Sequence, residues 1–468
     1  SNAVYHLLSE ASKLNVPFLV IEPAKGEYRK VFSNVKYFGT NPLIGDILRI
    51  DPFSFPNEVH VLEHIDRIIE IFNVCWPMYG AMPAVLKNAV EKAYISAGWD
   101  LVLSQNTKVS GLVPSFEDVL RELNEIMNSS QYSDEVKGNY KGALSTRLAS
   151  LTNGINGLIF VKDEVSLEEL FDKSAIVDIS RIGSTETKSL IMGLIVLKLQ
   201  EYRMSKSKEM NLPLRHLTVM EEAHNLLKKT STEQIADTAK LVGKSVEMIT
   251  NTIAEIRTYG EGFVIVDQAP NLLDTATIRN TNTKIVLRLP ESNDRSITGG
   301  AMALKDRQYD ELSKLPTGVA AVYQNDWQEA VLCALPKYEI QYNKVEDNGY
   351  NHVSAITKRK EDNDKLLHLL IKKEQDEFEV ELIKELVKRS NISAKICKDL
   401  IRNLSTKNST YEWAVADFIK KNYELSNIFN NTQGGNIKSV EELCDIMILN
   451  IKPEFNGFSK DELEKITY

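Results

Sequence analysis

The chain has 468 residues, enough for roughly two to four domains and a large hydrophobic core. With 43% hydrophobic and 26% charged residues, 22 Gly and 14 Pro, its composition excludes collagen-like, disulfide-scaffold and wholly disordered classes. A net charge of −9 argues against a surface that coats nucleic acid, but leaves room for a local basic channel.

Ser1-Asn2-Ala3 resembles the scar of tag cleavage and is set aside from the fold. Val4, Leu7, Leu8, Ala11 and Leu14 then recur at i, i+3, i+4 and i+7, which predicts an amphipathic helix. After Pro17, Phe18-Leu19-Val20-Ile21 reads as a buried strand. Similar runs follow at Ala175-Ile176-Val177, Leu217-Thr218-Val219-Met220, Phe263-Val264-Ile265-Val266 and Ile285-Val286-Leu287, most of them separated by helical stretches. Buried strands alternating with helices predict an α/β fold with a mostly parallel sheet covered on both faces.

Three regions interrupt or extend that core. Residues 56–151 lose the strand runs and show helical spacing, as in Val61, His64, Ile65, Ile68, Ile69 and Phe72, so they read as a helical insertion. The core then comprises 4–55 and 152–345. Within it, Val319-Ala320-Ala321-Val322-Tyr323 and Ala330-Val331-Leu332-Cys333-Ala334 flank Asn325-Asp326-Trp327 as a hairpin. Residues 346–468 read as a separate C-terminal helical region, with a loop at Asn430 to Asn436 and a linker at Lys358-Arg359-Lys360. No apolar run approaches the ~18 residues of a membrane span; Leu190 to Leu199 is too short and contains Lys198. Cys75, Cys333, Cys397 and Cys444 are scattered, with no Cys-x-x-Cys pair, as expected of reduced thiols in a cytoplasmic protein.

The strongest chemical signal is Leu217-Thr218-Val219-Met220-Glu221-Glu222-Ala223-His224-Asn225. A buried strand ending in two acids is a Walker B arrangement, in which Glu221 holds Mg²⁺ and Glu222 polarises the water that attacks a γ-phosphate. The alternative is a solvated helix start, where acids suit the dipole. Gln268, just beyond the Phe263–Val266 run, suits a γ-phosphate sensor. Arg257 and Arg288 flank this segment, and Arg288 within an apolar run needs a carboxylate such as Asp294, a phosphate or an edge. Glu22, Lys25 and Glu27 follow the first strand where nucleotide would sit, or form a polar turn. A phosphate-binding loop of the form G-x-x-x-x-G-K-[ST] is missing. Gly243-Lys244-Ser245 has its ending, but Thr238 stands at the first Gly and helical sequence precedes it. Lys228, Lys229, Lys240 and Lys244 follow the acids, as pore residues or as a solvated face.

Together these segments resemble the HerA-like DNA-translocating ATPases of the FtsK/HerA superfamily. Val20-Ile21-Glu22-Pro23-Ala24-Lys25-Gly26-Glu27-Tyr28 is similar to that family's hydrophobic–Asp–Pro–x–x–Glu–Tyr segment. Val177-Asp178-Ile179-Ser180, the paired acids, Val266-Asp267-Gln268-Ala269-Pro270 and Asn282-Thr283-Lys284-Ile285-Val286-Leu287-Arg288-Leu289 follow in family order. Trp76-Pro77-Met78-Tyr79 and Gly98-Trp99-Asp100 resemble the helical insertion of bacterial members.

The resemblance implies a RecA-like, additional-strand ATPase core that binds ATP and Mg²⁺ in a homo-hexameric ring around double-stranded DNA. It also implies a NurA-type nuclease or another effector as partner, in DNA end processing or phage defence, and no membrane. It gives Glu221 the magnesium role, Glu222 the catalytic role and Gln268 the sensor role, with Arg288, and less surely Arg257, acting on a neighbouring subunit's nucleotide. Glu221 stands where the family usually has Asp. The family's P-loop ordinarily precedes the helix that starts here at Val4, so this chain is expected to lack ATPase activity that its parent has. A conjugative or secretion-type pumping ATPase and a non-catalytic scaffold with a partner-binding helical tail are the alternatives.

Overall fold

Apolar runs of four or five residues have backbone groups that only neighbouring strands can satisfy once the side chains are buried. The computed structural model describes residues 2–229, 236–340, 354–423, 455 and 458–467. Its strands, in chain order, are β1 (Phe18–Glu22), β2 (Lys36–Gly39), β3 (Asp46–Ile47), β4 (Trp99–Asp100), β5 (Gln105–Asn106), β6 (Ala175–Asp178), β7 (His216–Glu221), β8 (Glu261–Val266), β9 (Thr283–Val286), β10 (Val319–Gln324) and β11 (Val331–Ala334).

Six strands form one sheet in the order β3-β2-β6-β1-β7-β8, with every pairing parallel. β1 sits inside it with all five residues buried. Expected strands β1, β6, β7 and β8 all lie in this sheet. β2 and β3 extend it without a sequence signal, because each is short and only part-buried. β9 departs from the expected arrangement. It alternates exposed and buried residues and pairs antiparallel with β10, giving a separate sheet β11-β10-β9. One-sided burial suits an antiparallel sheet with one solvated face.

The chain divides into two compact units. The first comprises Ser1–Leu48, Phe55–Ala84 and Val165–Gly349 and holds both of these sheets. Helix Asn2–Lys13 buries Val4, Tyr5, Leu8 and Ala11 in a cluster with Phe18, Val20, Tyr28 and Ile176. The helix includes two residues expected to be outside the fold. Asn2 donates from Nδ2 to the Pro336 carbonyl at 2.9 Å and accepts from the Tyr338 N–H at 2.6 Å. Helix Val61–Cys75 packs on helix Thr185–Lys206, where His64 Nδ1 lies 3.0 Å from Glu201 Oε1.

The second unit comprises Arg49–Ser54, Val85–Glu164 and Tyr350–Tyr468. Leu112 shares one core with Leu366, Ile383, Cys397, Leu400 and Phe418. Asp118 accepts the Ala394 N–H at 2.8 Å, and Arg359 pairs with Asp163 at 3.0 Å. This grouping divides the chain differently from the expected boundaries at 56–151 and 346–468. Helix Val61–Cys75 belongs with the sheet, while most of the insertion and the C-terminal helices complete each other's apolar faces. Lys358-Arg359-Lys360 lies in helix Ser354–Leu370 and is not a linker. Cys444, the Asn430–Asn436 loop and the Lys240 side chain lie outside the described residues.

Candidate active site at the carboxyl ends of the strands

β7 is buried from His216 to Met220 and surfaces at Glu221, so its apolar run delivers the first acid to the strand's carboxyl end. The backbone then enters the left-handed region at Glu222, with φ 47° and ψ 50°. Such a conformation is uncommon for a residue with a side chain and clusters at functional sites. Asn225 braces it by donating to the Glu222 carbonyl from Nδ2 at 2.8 Å and from its N–H at 3.0 Å.

Residues at the end of β8 complete the grip on Glu222. Gln268 donates from Nε2 to Glu222 Oε1 at 2.7 Å. His224 Nδ1 lies 3.6 Å from Glu222 Oε2 and 2.9 Å from Asp267 Oδ2. Asp267 also accepts the N–H of His224 and the N–H of Ala269, both at 2.9 Å. One carboxylate thus ties the exits of two adjacent strands together.

On the other side of β7, Glu22 ends β1 beside Asp178 at the end of β6. Glu22 accepts the N–H of Glu27 at 2.7 Å and that of Tyr28 at 3.4 Å, so it organises the turn that follows it. Burial pushes its carboxyl up to about 7; the Glu27 N–H opposes that shift, and Asp178 and Glu221 add to it. The turn passes through Lys25 at φ 71° and Gly26 at φ 66°. A Cβ on Gly26 would sit 2.9 Å from Asp178 Oδ2, so both the conformation and the close approach call for glycine.

Two tyrosines support the acids. Tyr28 donates its hydroxyl to Glu221 Oε1, and Tyr37 donates to Asp178 Oδ2 at 2.7 Å. Burial first, then the neighbouring carboxylate, raises each phenol well above its ordinary range, so both remain proton donors.

The structure brings Glu22, Glu221, Glu222 and Gln268 together. Lys25 and Glu27 are exposed on the adjoining turn, Glu27 3.5 Å from the Tyr5 hydroxyl. Arg288 lies beyond the end of β9, the edge strand of its sheet, and is exposed, the edge setting that was one of its three expected ones. Asp294, its expected partner, accepts the Asn271 N–H at 2.8 Å. Arg257 is exposed in the turn before β8, at the amino end of a six-residue strand and about 20 Å from the acids by strand rise. Gly243-Lys244-Ser245 lies within helix Ala236–Ile256, and Ser245 donates to Glu70. Lys228 bridges to Leu273 instead of lying on a helix.

These donors are oxygen-rich and concentrated, which suits a hard divalent cation such as Mg²⁺. Ligand atoms of Glu222, His224 and Asp267 lie within 4.8 Å of one another.

No protein-family model matches the chain. It is 31% identical over 146 residues to the DNA double-strand break repair helicase HerA of Sulfolobus acidocaldarius, covering 31% of this chain and 27% of that protein. It is 20% identical over 337 residues to HerA of Sulfurisphaera tokodaii, covering 68% and 64%. Its fold is that of VirB4 of Thermoanaerobacter pseudethanolicus, with a TM-score of 0.53 at 15% identity over 72% of this chain and 86% of that one. The chain is thus similar in sequence to HerA proteins over part of their length and shares the fold of VirB4. It spans about a quarter and under two thirds of the lengths of the two curated relatives. No helix among the described residues is long and apolar enough to cross a membrane.

Tyr28, Tyr37, Asp178, His224 and Asp267 carry contacts in this site that sequence reasoning left without roles. Asp178 and Asp267 had a usable signal, since each directly ends or follows an apolar strand run. The tyrosines had none, because a hydroxyl's partner depends on which strands become neighbours.

Proposed function

We propose that this chain is the hydrolytic core of an ATP-driven, ring-forming double-stranded DNA translocase that acts in DNA end processing or phage defence. The observation that carries the reading is the Glu221–Glu222 pair at the end of a buried strand, with Gln268 bonded to Glu222 from the next strand. Mg²⁺, when bound, supplies charge neutralisation at the phosphates. Glu221 holds it, Glu222 accepts a proton from the attacking water, and Gln268 orients that water or reads the γ-phosphate. Glu22, Lys25 and Glu27 border the nucleotide. Exposed Arg288, with Arg257 second, reaches the site of a neighbouring subunit in a homo-hexamer, in keeping with neither pairing with an acid among the described residues. Duplex DNA passes through the ring, and a NurA-type nuclease or another effector works alongside.

The sequence contains no glycine-rich phosphate loop, and β8 closes the parallel sheet with Phe263, Val264, Ile265 and Val266 only half-buried. An apolar sheet edge beside the acids suits one further strand. Lacking such a loop, the 468-residue chain alone is proposed to be without ATPase activity that an extended parent protein has. ATP binding and DNA-stimulated hydrolysis by this chain and by the extended parent test the reading. Activity confined to the parent supports it; an inert parent across DNA forms and magnesium concentrations overturns it.

A further inference from the structure

The hydroxyl beneath the first acid of the pair belongs to a residue that cannot turn away. Tyr28 is 1% exposed, packed in the cluster of Val4, Leu8, Phe18 and Val20, with the Tyr5 ring edge-on at 5.1 Å and 81°. Its backbone is fixed as well, since Glu22 accepts the N–H of Tyr28 and that of Glu27. The hydroxyl donates to Glu221 Oε1. A glutamate has one more side-chain torsion than an aspartate, and only a second contact removes that freedom.

We propose that Tyr28 is the positioning residue for Glu221: it holds Oε1 and so presents Oε2 to the cation. A phenol O–H offers a single proton, so it engages one oxygen and leaves the other for metal. The chain of contacts runs from Glu22 through the turn to Tyr28 and then across to β7, so two segments distant in sequence build one metal ligand. This inference rests on the proposed role of Glu221 as the cation holder.

Mn²⁺ binding, followed by electron paramagnetic resonance on the extended parent with a non-hydrolysable ATP analogue, tests it. Tyr28→Phe keeps the ring and its packing, and is expected to weaken Mn²⁺ binding about tenfold, as loss of a ligand's outer partner does. Half-saturating Mg²⁺ for hydrolysis rises in parallel, while the rate at saturating Mg²⁺ stays near that of the unmodified protein. A purely structural role would lower the melting temperature and the rate without moving the Mg²⁺ requirement. In a Glu221→Asp background the shorter carboxylate leaves the hydroxyl, so adding Tyr28→Phe has no further effect on Mn²⁺ affinity. Unchanged Mn²⁺ affinity in Tyr28→Phe, with affinity lost in Glu221→Gln, overturns the role of Tyr28 alone. Unchanged affinity in Glu221→Gln overturns the proposed cation site itself.

Discussion

The two ends of the parallel sheet treat buried acids in opposite ways. At the amino ends of β7 and β8, wholly buried Glu261 lies 2.7 Å from His216 Nδ1 and accepts from Thr218 Oγ1 at 2.7 Å and Arg203 Nε at 3.0 Å. Arg203 Nη1 also pairs with Asp172 at 2.7 Å. At the carboxyl ends, Glu22, Asp178, Glu221 and Glu222 meet tyrosine hydroxyls, backbone amides, Gln268 and His224. Among the described side chains, no Lys or Arg lies within ion-pair distance of these four. One end satisfies its charges internally. The other gathers negative charge that a cation from outside would neutralise, as expected where folding stability gives way to chemistry.

The amino end offers the largest effect. Glu261→Ala leaves His216 and Arg203 buried without their acid and is expected to cost about 3–5 kcal/mol in denaturant unfolding. Thr218→Val removes one hydrogen bond to the same carboxylate at nearly constant volume, for a loss of about 2 kcal/mol by the same measurement.

The carboxyl end predicts the reverse sign. Glu22 has its carboxyl raised to about 7 from an ordinary value near ~4.3. The folded state therefore binds the proton more tightly, and the associated stability is full below about 4.3 and is lost as pH rises through about 7. Glu22→Gln should flatten that part of the pH–stability curve and raise stability at pH values above 7 by on the order of 1 kcal/mol. A loss of stability there would mean that the acid is neutralised after all. The smallest effect falls to Tyr37→Phe, which leaves Asp178 with the Ser180 N–H and costs below about 1 kcal/mol in thermal unfolding.

Much of the fold was legible because its strands are short apolar runs with polar ends. β1, β6, β7 and β8 all follow that pattern, and the paired acids stand where β7 surfaces. β2 was illegible because Lys36-Tyr37-Phe38-Gly39 carries only a two-residue buried stretch. The unit boundaries were illegible for a different reason. Helices around Leu112 and Leu400 show apolar faces in sequence, but periodicity does not say which distant face each one covers. The left-handed turn at Glu222 and the His224–Asp267 contact depend on two strand exits being neighbours, which only the sheet order reveals.

Hydrolysis of ATP by the extended parent carrying Glu222→Gln, measured beside its nucleotide affinity, tests the central claim most directly. The geometry predicts turnover reduced by at least about a hundredfold, as for loss of a positioned general base, with ATP still bound. Turnover equal to that of the unmodified parent would contradict the assignment of this strand-end cluster as the catalytic site.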